Sequence, residues 1–283
     1  MAVDIRDTFG AGLIGGMVAA ILYGITTLQT YLYYVYYPRD THGLKVLVAS
    51  IWVIDTLHVS FMCHALYYYL VTNFGDPDNL GTGVWSLFTS LGLNLVMAVL
   101  VQTYFAFRIY HLTRSKIRWW LTSFLMLVVL AHFGKIPYTT RQSSSLIRDL
   151  AFGLETVIFM FIKKQFSALS EITLYAATPF AITAVLSDVF IAGSLCILLH
   201  GNRSPVVETN TLVNTLIVYA INRCLLTSVV AVAEVIAFAI IPGSLWFIAI
   251  DFVIGKLYAN SLLASLNSRS ALRGRNHTRD VLK

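Results

Sequence analysis

Asp55, His58, Asp188, Arg223, Glu234, Asp251 and Lys256 are ionisable side chains set within long stretches of Leu, Val, Ile, Ala and Phe. An ionisable group in apolar surroundings is costly, so it faces a bundle interior and takes a partner, or it serves a ligand, an ion or a proton. Asp55 and His58 are three residues apart and share one face if the segment is helical. Asp55 or Asp188 can pair with Arg223 or Lys256. Asn94, Gln102, Asn222 and Asn260 supply uncharged hydrogen-bonding groups in the same kind of setting. The candidate set is Asp55, His58, Gln102, Asp188, Asn222, Arg223, Lys256 and Asn260. Its functional reading is a ligand, proton or switch site. Its plainer reading is a group of ion pairs that fixes helix packing.

Other chemistries fit less well. Retinal proteins attach their chromophore to a lysine of the seventh helix, and Lys256 has that position. Such a Schiff base needs a counterion. Asp251 lies five residues away, about 140° around a helix, and the third apolar stretch has no Asp or Glu. A metal hydrolase needs several converging His and carboxylate ligands, whereas His58 and His64 are six apart and the last stretch has no His. The GAGLIGG segment sits inside an apolar run rather than between a strand and a helix, so it is no phosphate loop. No catalytic motif, metal site or cofactor is expected.

The elements that must position these groups follow from composition. The chain has 283 residues, 57% hydrophobic and 12% charged, with a mean hydropathy of +0.73. About a quarter charged is usual for a soluble domain, so much of this surface faces hydrocarbon. Runs long enough to cross about 30 Å of lipid occupy 9–37, 46–71, 84–110, 119–133 with 151–162, 174–199, 212–241 and 244–266. Backbone amides in lipid must be paired internally, which selects helices; the alternating segments of a barrel are absent. The expected fold is all-α: a polytopic integral membrane protein with a seven-transmembrane helix bundle over 1–268 and a basic tail over 269–283. Cys63, Cys196 and Cys224 fall in apolar runs and give no disulfide framework. The first run is too long for a cleaved signal and is expected to remain as a helix.

Positive charge sets orientation. Arg39, Lys45, Arg114, Lys116, Arg118, Arg203 and the tail residues Arg269, Arg273, Arg275, Arg279 and Lys283 fall on one side. The loop 73–83 on the other side carries Asp76 and Asp78 without Lys or Arg. The N-terminus is therefore expected outside and the C-terminus in the cytoplasm. The glycosylation patterns at Asn202 and Asn276 would then be unused. The net charge of +6 lacks the basic helix of a nucleic-acid binder, so no nucleic acid is expected. The expected partners are the lipid bilayer and, at the basic tail, anionic lipid or an acidic cytoplasmic protein.

Helix 1 carries Gly12, Gly16, Ala20 and Gly24 at four-residue spacing, a close-packing face. Tyr31, Tyr33, Tyr34, Tyr36 and Tyr37, with Tyr67, Tyr68 and Tyr69, are expected as headgroup belts. The fourth run is divided by the polar segment Gly134–Leu150, GKIPYTTRQSSSLIRDL. Without it the run has ordinary length. Gly-Lys can be encoded GGTAAG and Leu-Ala TTAGCN, an intron donor and acceptor whose splicing removes seventeen codons in frame. The segment is thus either a retained intron or a polar outer loop. In the chain as given, Lys135–Arg148 is expected to be irregular and the fourth run broken.

KLYANSLLASLNSR from Lys256 to Arg269 resembles the signature of a seven-transmembrane family expanded in mushroom-forming fungi, domain of unknown function 6534. WVIDTLH with Asp55, QTYFAFRIY from Gln102, Asp188 with IAGSLC, and NRCLLTS from Asn222 are also similar. The resemblance covers most of the chain, except that the family's fourth helix runs without the polar insert. It implies seven helices and no established activity. The leading expectation is a non-enzymatic receptor or sensor at the plasma membrane; the alternatives are a small-solute or proton transporter and an intramembrane enzyme.

Overall fold

The computed structural model describes residues 9–76, 80–113, 117–130, 157–158, 160–162, 164–165, 178–201, 207–240 and 246–281. Seven α-helices of eight residues or more occur among them. They are α1 (Ala11–Tyr36), α2 (His42–Tyr67), α3 (Trp85–Leu112), α4 (Ile117–Leu130), α5 (Thr178–Gly201), α6 (Val207–Ile240) and α7 (Trp246–Val281). A π-helical turn, Tyr68–Thr72, extends α2. Apart from α4, each helix contains a segment long and apolar enough to cross a membrane. Leu, Ile, Val and Phe side chains stand exposed along them, including Ile21, Val53, Phe107, Ile197 and Leu225. Water would not tolerate so continuous an apolar exterior. The chain is a polytopic helical membrane protein.

Each helix packs on the next in sequence, and α7 returns to α1, closing a ring. α3 also touches α5 and α7, and α7 also touches α2. α2 runs antiparallel to α1: Tyr23 meets Thr56 at 3.0 Å, and the Trp52 indole donates to Thr27 at 3.3 Å. α7 runs parallel to α1. Asn260 donates to Leu22 O at 3.1 Å and to Thr26 Oγ1 at 3.0 Å, and Asn267 donates to Gln29 O at 2.8 Å. Past the end of α1, Asp40 pairs with Arg269 of α7 at 2.7 Å.

In lipid the hydrophobic effect does not drive one helix onto another, so close van der Waals packing and interhelical hydrogen bonds must. The α1–α7 seam uses Gly15, whose missing Cβ leaves room for the Ala249 backbone. The buried face of α1 is Gly12, Gly15, Gly16 and Ala19. Ala20 and Gly24 are exposed, which corrects the four-residue row read from sequence. Four residues turn a helix through 400°, so such a row drifts about 40° per step and has left the seam by its third and fourth members.

The tyrosine belts also need correction. Tyr31, Tyr34, Tyr36 and Tyr67 are exposed, as a belt requires, but Tyr33, Tyr37 and Tyr69 are buried. Tyr33 donates to Asp40 at 3.0 Å and Tyr37 to Asn267 O at 3.0 Å. Tyr69 donates to Thr82 O at 2.9 Å and accepts from Val84 N at 2.7 Å. The basic tail continues α7 as helix to Val281. The segment Lys135–Arg148 lies outside the described residues, as do Asn202 and the loop cations Arg114, Lys116 and Arg203.

Two apolar clusters fill the bundle. One lies toward the end where α1, α3 and α7 finish and includes Ile51, Val101, Ile109, Ile191, Leu262 and Leu266. The other lies toward the opposite end and includes Met62, Leu87, Phe88, Phe247 and Phe252. Asp55, His58, Asn94 and Lys256 fall between the two clusters along α2, α3 and α7.

Candidate functional site

The structure resolves the candidate charges into two buried ion pairs. Asp55 on α2 pairs with Lys256 on α7, and Asp188 on α5 pairs with Arg223 on α6. All four side chains are at most 5% exposed.

Asp55 takes the Lys256 ammonium on Oδ1, and its backbone carbonyl accepts a second bond from Nζ at 3.2 Å. Lys256 also lies over the Tyr23 ring of α1, 5.7 Å from its centroid, so one cation joins α1, α2 and α7. His58, one turn along α2, is buried with its ring edge-on to Phe252 at 6.0 Å. Neither His58 ring nitrogen, nor Asp55 Oδ2, has a hydrogen-bond partner among the described residues. Lys256 therefore has a carboxylate partner, supplied by α2 rather than by α3 or by Asp251. The counterion missing from the sequence argument is present.

Asp188 is the centre of the second group. Its Oδ1 accepts from Arg223 and, at 3.3 Å, from Gln102 Nε2 of α3. Its Oδ2 accepts from Thr227 Oγ1 of α6 and Tyr258 OH of α7, both at 2.7 Å. Gln102 also donates to Ser187 Oγ at 2.7 Å. The Arg223 guanidinium stacks over Phe105 at 4.4 Å. A carboxylate with several donors and a stacked guanidinium offsets the desolvation that makes a lone buried charge prohibitive. Four helices meet at this single side chain.

A third contact joins α3 to α7. Asn94 Nδ2 donates to Asp251 O at 2.7 Å and to Asp251 Oδ2 at 2.8 Å. Gly255 makes this approach possible, because a Cβ there would collide with the Asn94 amide. Asn260 clamps α7 to α1 as described above. Asn222 joins none of these groups and is exposed on α6, and Glu234 is half-buried on the same helix.

Sequence reasoning missed Ser187, Thr227 and Tyr258. Thr227 follows Arg223 by one helical turn, a spacing that could have marked it. Tyr258 carried no such mark. It follows Lys256 by two residues, about 200° around the helix, and so points into the other group. No cluster of three or more His, Cys, Asp or Glu side chains able to hold a metal occurs among the described residues.

Residues 184–271 match the model of a family of unknown function, DUF6534. The matched segment runs from α5 into α7 and contains Asp188, Arg223, Thr227, Lys256, Tyr258 and Asn260. It holds both partners of the Asp188–Arg223 pair, but only the lysine of the other, since Asp55 lies outside it. No curated protein and no solved structure matches the chain significantly.

Proposed function

We propose that the protein is a non-enzymatic seven-helix receptor or sensor of the plasma membrane, with its N-terminus outside and its basic C-terminal helix in the cytoplasm. The observation that carries this reading is the convergence of both charge groups on α7. Lys256 ties α7 to α2 and Tyr258 ties it to α5 and α6, while the same helix continues into the basic extension. A displacement of α7 that breaks either contact moves the extension with it. Such buried pairs make a two-state element, because a partly broken pair leaves a charge uncompensated.

The parallel course of α1 and α7 supports seven crossings, since an even number of reversals separates them. Positive charge supports the orientation: Arg39, Lys45, Arg118 and Arg269 lie at the end of the bundle where α1 finishes and α2 begins. Apolar clusters on both sides of the Asp55–Lys256 layer favour sensing over transport, which needs access for water from both faces in turn.

Spin labels at His111 on α3 and Ala271 on α7 test the two-state reading, in a background with Cys63, Cys196 and Cys224 replaced by Ala. Asp55→Asn and Asp188→Asn should each add a second distance population in lipid nanodiscs. A single distribution identical to that of the parent would sink the switch. Protein-dependent proton flux into dye-loaded vesicles, abolished by Asp55→Asn, would replace sensing with transport.

A further inference from the structure

His58 has two polar atoms, and the bundle uses neither. Both ring nitrogens lack a hydrogen-bond partner among the described residues, as does Asp55 Oδ2, although each residue is only 2% exposed. Native interiors pair nearly all such atoms, and an exception points to a bound molecule, an ion or a role beyond packing. Gln102 and Asn260 also leave a carbonyl oxygen unpaired, but each donates through its amide nitrogen.

The unpaired atoms share one place in the fold. Asp55 and His58 are three residues apart on one face of α2, about 4.5 Å along its axis. α7 runs antiparallel to α2. There Lys256 meets Asp55, and Phe252, one turn back, meets His58 with ring centroids 6.0 Å apart. Phe252 and Met62, one turn beyond His58 on α2, belong to the same apolar cluster. His58 stands where the ion pair meets that cluster. The way in from the lipid is short at the α1–α2 seam. Tyr23 is half-buried there, lies over Lys256 and meets Thr56, the neighbour of Asp55. Gly24 beside it has nothing within 4 Å of an added Cβ.

We infer that His58 and Asp55 Oδ2 form a binding site for the hydroxyl group of a neutral, lipid-soluble alcohol. The chemistry of the three atoms selects that group. An ionised carboxylate only accepts, so the occupant must donate to Oδ2; a neutral imidazole offers one N–H and one bare nitrogen. A single hydroxyl donates to Oδ2 and accepts from the ring. An ether, a ketone or an ester accepts only and leaves Oδ2 unmet. The charges of Asp55 and Lys256 cancel, so a charged occupant would bring an uncompensated charge into a buried layer. Water from either end of the bundle meets an apolar cluster before it reaches this layer, whereas an alcohol dissolves in the hydrocarbon beside it. Binding at this site stands on the geometry; that binding moves α7 rests on the sensing reading above.

The test compares octanol with its isomer heptyl methyl ether, which accepts but cannot donate, on the full chain in lipid nanodiscs. Octanol should raise the thermal midpoint of the parent by several degrees more than the ether does. That difference should vanish in His58→Leu and in His58→Met, so that either variant serves if the other does not fold. It should survive in part in His58→Gln, whose amide keeps a donor and an acceptor. No difference in the parent, or an equal difference in all four proteins, overturns the site. A larger His58-dependent shift with octanoate or octylammonium overturns the neutral class. A midpoint of His58→Leu below that of the parent without any alcohol, and unmoved by octanol in both, assigns the atoms to a trapped water and overturns the alcohol. The distance between labels at His111 and Ala271 reports separately on sensing. A His58-dependent midpoint shift with an unchanged distance upholds the site and sinks the switch.

Discussion

Lys256 and Tyr258 stand two residues apart on α7 and reach into different charge groups, Lys256 to Asp55 on α2 and Tyr258 to Asp188 on α5. Two residues turn a helix through about 200°, so a single turn of α7 serves opposite sides of the bundle.

The Asp55–Lys256 pair should show strong non-additivity. Asp55→Ala leaves Lys256 without its carboxylate and should cost about 3–5 kcal/mol, the usual loss when one member of a buried pair is removed. Lys256→Met should cost a similar amount. The double variant removes both charges and should recover most of the loss. Unfolding in detergent measures the cycle, and additive losses would mean that the two charges do not depend on each other.

Around Asp188 the losses should be graded. Tyr258→Phe and Thr227→Val each remove one hydrogen bond of several and should cost about 1 kcal/mol. Asp188→Ala should cost several times more, since it strands the Arg223 guanidinium and the Tyr258 hydroxyl together. A Tyr258→Phe loss equal to that of Asp188→Ala would make the tyrosine, not the carboxylate, the centre of the group.

His58 is buried with both ring nitrogens lacking a hydrogen-bond partner among the described residues. An unpaired buried polar group costs about 1–3 kcal/mol. His58→Leu should therefore raise the unfolding midpoint. A fall would indicate that the imidazole serves a bound molecule or water beside Asp55.

The seam between α1 and α7 separates two glycines of one helix. Gly15→Ala puts a methyl group onto the Ala249 backbone, where neither helix can yield without moving away. It should destabilise by about 1–3 kcal/mol, the range for overpacking. Gly24 has nothing within reach of an added Cβ, so Gly24→Ala should be neutral or stabilise by up to about 1 kcal/mol through helix propensity. Equal effects at the two positions would disprove the assigned seam.

Much of this protein was legible from sequence. Long apolar runs with few charges become helices because lipid leaves the backbone no other partner. The short list of charges that must find partners was visible because a stranded charge in hydrocarbon is too costly to keep. Asp55, Asp188, Arg223 and Lys256 all came from that rule. What sequence could not supply was which carboxylate meets which cation. Pairing depends on the rotation and crossing of helices far apart in the chain, and an apolar run reads nearly alike around its whole circumference. The same ambiguity placed Asn222 in the site, hid Tyr258, and set the α1 seam on Ala20 and Gly24 rather than Gly15 and Ala19. Only the packed bundle settles helix rotation, because only there does one side of each helix meet protein while the other meets lipid.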